Sequence, residues 1–208
     1  MPLNTHAHAD HAGGLRALQE ASGAELWVSE GDAEVMAAGG KGDKSLGPLG
    51  IVGTLLGDLR FPAPRIDHRF KDGAKIRVGD IELTAHVTAG HTRGCTSWSF
   101  PVRDGERELL AVDIGSLTLF PFVSLVEPEA YPGVRADFEQ SFRTLRSLPA
   151  DIFLASHGDM FDLHRKQRER AAAKNPVDPF VDPEGYRSFI DRAEERFREV
   201  LAEQQGSR

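Results

Sequence analysis

The stretch NTHAHADHAGG places His6, His8, Asp10 and His11 within six consecutive positions, almost at the start of the chain. Neutral imidazole suits zinc, and a carboxylate oxygen belongs to the same ligand chemistry. Side chains alternate along a strand, so His6 and His8 emerge on one face if they ride on one. If that strand stops near Ala9, Asp10 and His11 fall in the turn opening the next helix, and the four groups converge. Without a cation they would lose hydration and gain little from one another. The spacing H-x-H-x-D-H is therefore read as a metal cluster rather than a histidine-rich surface turn.

Four groups do not complete two metal sites. His91 lies in TAGHTRG, a Gly-bracketed loop between two strand patterns, and His157 follows a strand pattern directly, again before a glycine. Both stand where a strand releases its chain into a loop, a favoured site location in layered α/β proteins. His86 falls inside a strand pattern and reads as a core residue, with a supporting place behind the ligands as the alternative. His68 and His164 neighbour charged residues and read as solvated. Cys95 is the only cysteine, which excludes an intrachain disulfide and a thiolate-rich zinc site. It is expected as a small packed side chain.

The elements that must carry these residues alternate as in α/β layering. Leu15, Leu18 and Ala21 recur at helical intervals and Ser22-Gly23 stops them. Glu25–Ser29 reads as a strand and Gly31–Ala38 as a short helix. The Gly- and Pro-rich stretch from Gly39 to Pro64 reads as a long surface excursion, of the kind that forms a lid beside an active site. Strand patterns follow at Ala74–Val78, Ile81–Val87, Thr96–Phe100 and Glu108–Val112, separated by Gly-Asp, Gly-His and Asp-Gly punctuation. Asp137–Leu148 is amphipathic, with Phe138, Phe142 and Leu145 on one stripe. Asp151–Ala155 is a buried-type strand. Pro183–Gln205 is a helix with Tyr186, Phe189, Ile190, Ala193 and Phe197 facing inward. No repeat divides the chain, and residues 1–208 read as one domain.

Composition narrows the function classes. The 208 residues carry a formal net charge of −7 with histidines neutral, which argues against a nucleic-acid partner. No apolar run reaches the ~18 residues that span a bilayer, and no signal peptide is recognisable at the N-terminus. A small-molecule substrate as partner is implied only by the family resemblance that follows.

HAHADH followed by GHTRGCTSW and ASHGDMF resembles the metallo-β-lactamase superfamily. The texture of DHAGGLRALQEASGAELWVSE, YPGVRADFEQSF, SLPADIFLASHGDMFDL and NPVDPFVDPEGYRSFI is similar to that of the third subclass of the zinc β-lactamases. The resemblance implies a four-layer αββα sandwich and two Zn2+ per chain, His6, His8 and His91 holding one and Asp10, His11 and His157 the other. It implies hydrolysis of the β-lactam ring, and so antibiotic resistance, by attack of a hydroxide shared by the metals, with Asp10 orienting that nucleophile. In many superfamily hydrolases, glyoxalase II and lactonases among them, an aspartate in a G-D-x-L-like turn bridges the metals. The matching turn here is Gly115-Ser116-Leu117, so Ser116 takes that position, as in the β-lactamase subclass, and would hydrogen-bond a water at the second metal. Thr118 is the candidate contact for a substrate carboxylate. Asp113, three residues before Ser116, is the alternative bridge and would favour a lactonase or thioesterase. A third alternative is an inactive metal-binding fragment.

In that family the cluster lies well inside the chain, after a first run of strands and a helix. The expectation is therefore a fold lacking most of its N-terminal sheet and first helix, with an uncovered sheet that invites oligomerisation and weakens activity. A periplasmic or secreted location is implied by the family alone.

Overall fold

The computed structural model describes residues 2–47 and 59–206. Helices α1 (Ala9–Ala12) and α2 (Leu15–Ser22), strand β1 (Trp27–Ser29), helix α3 (Ala33–Ala37) and strand β2 (His68–Phe70) make up the first part. β1 and β2 pair in parallel, and Leu3 bridges to Trp27 on the other side. Five more strands form a second sheet in sequential order: β3 (Lys75–Val78), β4 (Ile81–Val87), β5 (Thr96–Asp104), β6 (Arg107–Ile114) and β7 (Ile152–Ala155). The first four are antiparallel, as short turns allow, while β7 joins β6 in parallel. A parallel pairing needs a crossover, and helix α4 (Val134–Ser147) supplies it. Helices α5 (Leu163–Ala172) and α6 (Pro183–Gly206) follow.

The largest core lies where α4 and α6 cover β6 and β7. Phe138, Phe142 and Leu145 of α4 meet Ile190, Phe197 and Val200 of α6 over Val112, Ile114 and Phe153. Each such side chain contributes about 1.5 to 3 kcal/mol by leaving water. The Tyr186 hydroxyl donates to the Leu145 carbonyl at 2.7 Å and ties the two helices. On the other face, Phe70 of β2 packs with Ile76, Ala85 and Trp98 of β3 to β5, alongside Leu3 and Trp27. The small sheet thus covers part of the second face of the larger one. Val78 and Ile81, at the β3–β4 turn, stay exposed.

Several elements differ from the sequence expectation. His6 and His8 ride on an irregular segment rather than a strand, and His8 directly precedes α1. Leu18 is exposed, because Gln19 takes the inward position of α2. Its amide donates to the Arg65 carbonyl at 2.8 Å and accepts from the Arg65 N–H at 2.9 Å, pinning a distant strand of chain through its backbone. β2 and α5 carry no apolar pattern, and α5 buries Lys166 alone. His68 stacks on Trp27 at 4.2 Å and bonds Glu25, whereas His164 is exposed as expected. His86, half-buried in β4, bonds the Ser99 hydroxyl at 2.8 Å. Residues 48–58 of the Gly39–Pro64 excursion lie outside the described residues. No described helix is long and apolar enough to cross a membrane.

Candidate metal centre

Two loops and two chain segments bring the histidines together. The Ala7 N–H donates to Asp32 Oδ2 at 2.9 Å, and Asp32 also accepts from the Thr92 hydroxyl at 2.7 Å and the Gly94 N–H at 2.8 Å. One fully buried carboxylate therefore locks the His6–His8 segment to the His91 loop. Burial pushes the Asp32 carboxyl up to about 6, opposed by the three hydrogen bonds it accepts. The loop needs its glycines. Gly90 sits at φ +135, where a Cβ would come within 2.7 Å of the Phe138 ring, and a Cβ on Gly94 would meet the Asp32 backbone N at 2.3 Å. Ser141 of α4 supports the same loop by donating to the Ala89 carbonyl. His157 directly follows β7 and Ser156, whose N–H reaches the Ile114 carbonyl of β6.

The ligand atoms of His6, His8 and His91 lie within 4.8 Å of one another, and so do those of Asp10, His11 and His157. Hydrogen bonds leave one nitrogen per ring in the first group. His91 Nδ1 donates to the Thr118 carbonyl at 2.8 Å, freeing Nε2. His8 Nε2 meets Asp43 Oδ2 at 3.1 Å, freeing Nδ1. His6 Nδ1 meets the Thr5 hydroxyl at 3.1 Å, and its Nε2 is buried with no hydrogen-bond partner among the described residues. An orphaned buried nitrogen between two other imidazoles is what a cation would satisfy.

The second group forms a compact triangle. His11 Nε2 and His157 Nε2 face each other at 3.0 Å, and Asp10 Oδ2 lies 3.3 and 3.5 Å from them. A tetrahedron of zinc ligands has edges of about 3.3 Å, so this triangle already has the size of one face. Electrostatics point the same way. Burial, then the neighbouring His91, His8, His11 and His157, push His6 far below the usual imidazole range. His91 is pushed down to about 3 by burial and His8, and burial chiefly lowers His11. Imidazoles held neutral are available as ligands.

All six residues line one cleft of about 470 Å³, together with Ser116, Thr118, Phe120, Asp43, Leu46 and Leu59. The Ser116 hydroxyl accepts the Thr118 N–H at 3.2 Å, leaving its proton to donate. Asp113 sits in β6 and belongs to neither ligand group and not to the cleft lining. Burial pushes its carboxyl up to about 6. The Cys95 thiol is fully buried and raised well above its ordinary value by burial, so it fits the expected packed side chain. Asp32, Asp43 and the Thr118 carbonyl are the site groups that the sequence did not single out. No local spacing marks them, because each acts on a histidine segment distant in the chain.

A family model described as the metallo-β-lactamase superfamily matches residues 3–157. The chain belongs to the metallo-β-lactamase superfamily. Among solved superfamily structures, the native FEZ-1 metallo-β-lactamase from Legionella gormanii superposes with a TM-score of 0.89 at 35% identity, covering 98% of this chain and 74% of that one. BJP-1, a subclass B3 metallo-β-lactamase of Bradyrhizobium japonicum, gives 0.84 at 30% identity, covering 99% and 73%. Curated sequence relatives bear another name. A hydroxyacylglutathione hydrolase of Jannaschia sp. (strain CCS1) is 26% identical over 157 residues, 74% of this chain and 46% of that protein. One of Rhodospirillum rubrum is 28% identical over 152 residues, 73% and 45%. The chain spans about half the length of the curated relatives it matches.

Proposed function

We propose that this superfamily hydrolase opens β-lactam rings with two zinc ions, one held by His6, His8 and His91 and one by Asp10, His11 and His157. The observation that carries the choice of substrate is the Gly115-Ser116-Leu117 turn. It presents a hydroxyl to the cleft, and the nearest carboxylate in sequence, Asp113, stays outside the lining. Support comes also from solved structures named β-lactamases, at 35% identity over 98% of the chain.

Bound zinc supplies an acidified water and a Lewis acid for a carbonyl oxygen. The chain's own residues do the rest. Asp10 Oδ2, within 3.5 Å of both His11 and His157, orients the attacking water while serving as a ligand. The Ser116 hydroxyl, which lines the cleft and accepts the Thr118 N–H, keeps its proton for a hydrogen bond to water or substrate. Phe120, stacked on Phe122 at 5.2 Å and leaning on His91 at 5.5 Å, forms an apolar wall that excludes bulk water.

A second reading is a thioesterase, favoured by the curated relatives named hydroxyacylglutathione hydrolase. Nitrocefin and a hydroxyacylglutathione thioester, each assayed with and without a chelator, separate the two. Nitrocefin opening that disappears on chelation and returns with zinc is expected. Thioester turnover alone overturns the β-lactam assignment, and two zincs bound with neither turnover leaves a metal-binding chain without this activity.

A further inference from the structure

Asp43 lies on the segment after α3, in the lining of the cleft yet outside both ligand groups. Its side chain and that of His8 are nearly buried, at 9% and 11% exposure. Oδ2 faces His8 Nε2 at 3.1 Å, while Oδ1 accepts the Ser45 N–H at 2.8 Å and the Ser45 hydroxyl at 2.5 Å. Ser45 therefore fixes the carboxylate from its own turn, and the other oxygen is aimed at one imidazole 35 positions away. A carboxylate has no proton to give, so the bond requires His8 to carry its proton on Nε2.

We propose that Asp43 is a positioning residue for the first metal cluster. It fixes the tautomer and rotation of His8, so that the ring presents Nδ1 where His6 and His91 present Nε2. The inference rests on the two-zinc reading and adds to the six candidate ligands a residue outside both groups that acts through one of them. Three physical consequences follow from the bond. The imidazole is made a stronger donor by the negative charge behind it. Its wrong tautomer is excluded, because Nδ1–H would leave a buried carboxylate facing a lone pair. The ring also loses little rotational freedom when a cation arrives, having lost it already. His6 and His91 have neutral partners, a hydroxyl and a backbone carbonyl, so among the described residues His8 alone in this cluster is backed by a charge.

Asp43→Ala and Asp43→Asn test this in the full chain, stripped of metal and titrated with zinc against a chromogenic chelator. Outer carboxylates behind metal-bound histidines are typically worth about 10- to 100-fold in affinity. Asp43→Ala is expected to lose that much at one of two sites and to leave the other within about 3-fold. Asp43→Asn, which still accepts a hydrogen bond but lacks the charge, falls between. In a His8→Ala background, Asp43→Ala is expected to change nothing further, since its effect passes through that ring. Long-range nitrogen–proton spectra of the metal-free protein give a readout that a merely structural role would not move: His8 protonated on Nε2 in the parent chain, and a tautomer mixture in Asp43→Ala. Should Asp43→Ala fail to fold, Asp43→Asn carries both measurements. Unchanged zinc affinity in both variants, or His8 protonated on Nδ1 in the parent, overturns the role of Asp43 and leaves the hydrolase reading standing. A parent chain that binds no zinc overturns both.

Discussion

Replacing Gly94 by alanine tests how the His91 loop is held. A Cβ built there lies 2.1 Å from the Ser29 hydroxyl oxygen, 2.3 Å from the Asp32 backbone N and 2.8 Å from the Asp32 Cβ. The backbone nitrogen would have to retreat by about 1 Å to reach ordinary contact, and tight overpacking of this kind costs about 1 to 3 kcal/mol. The same shift breaks the Gly94 N–H bond to Asp32 Oδ1 and the Ser29 hydroxyl bond to the Gly94 carbonyl. A bond to a charged acceptor contributes about 1.5 to 3 kcal/mol and a neutral one about 0.5 to 1.5. Together these give a destabilisation of at least about 3 kcal/mol. With a urea dependence near 3 kcal/mol/M for a chain of this size, the unfolding midpoint of metal-free protein should drop by about 1 M. Gly14→Ala is the control: a Cβ there meets nothing within 4 Å, and φ is an ordinary −90. It should stay within about 1 kcal/mol of the parent. A Gly94→Ala chain as stable as the Gly14→Ala chain would refute the account of the loop as locked against Asp32.

Other consequences are open to measurement. His6→Ala should reduce bound zinc from two per chain to one by metal analysis after dialysis, and His157→Ala should do the same through the other cluster. Cys95, buried with a raised thiol, should resist thiol reagents in the folded protein and react at once in denaturant. Burial lifts the Asp113 carboxyl to about 6 from 3.8, so the folded chain holds its proton more tightly than the unfolded one. That stabilisation is complete below pH 3.8 and is lost as pH rises through 6, about 3 kcal/mol in all. Asp113→Asn keeps the neutral form, so its advantage over the parent in urea unfolding should be about 1 kcal/mol larger at pH 8 than at pH 5. Zinc content should be unchanged, and a loss of metal in Asp113→Asn would place Asp113 among the ligands after all.

The two candidate clusters were legible because histidine is scarce and its spacing is local. Eight histidines in the chain leave few combinations, and His6 to His11 stand together. Their supports were not. Asp32 and Asp43 are two among 32 acidic residues, and each acts on a segment dozens of positions away, so nothing in the neighbouring sequence sets them apart. Thr118 was singled out for its side chain, whereas its carbonyl bonds His91, a role any residue type can play. The strands from Ile81 onward and the apolar faces of α4 and α6 followed their periodicity closely. α5, with the sequence LHRKQRERAA, offered no stripe to read. The irregular His6–His8 segment escaped because its course is set by Asp32 and by the Thr5 carbonyl accepting the Thr96 N–H, both long-range bonds.

His11 and His157 meet nitrogen to nitrogen although 146 residues separate them along the chain. A cation bound there would be a removable cross-link, joining the first helix to the chain just beyond the last strand of the larger sheet. In the loop-closure model, a permanent tie over that span takes about 5 kcal/mol of conformational freedom from the unfolded chain. With a cation bound, the second cluster would thus act as a clasp between distant parts of the chain. Stripping the metal should loosen the N-terminal segment towards proteases before any strand of the sheet gives way.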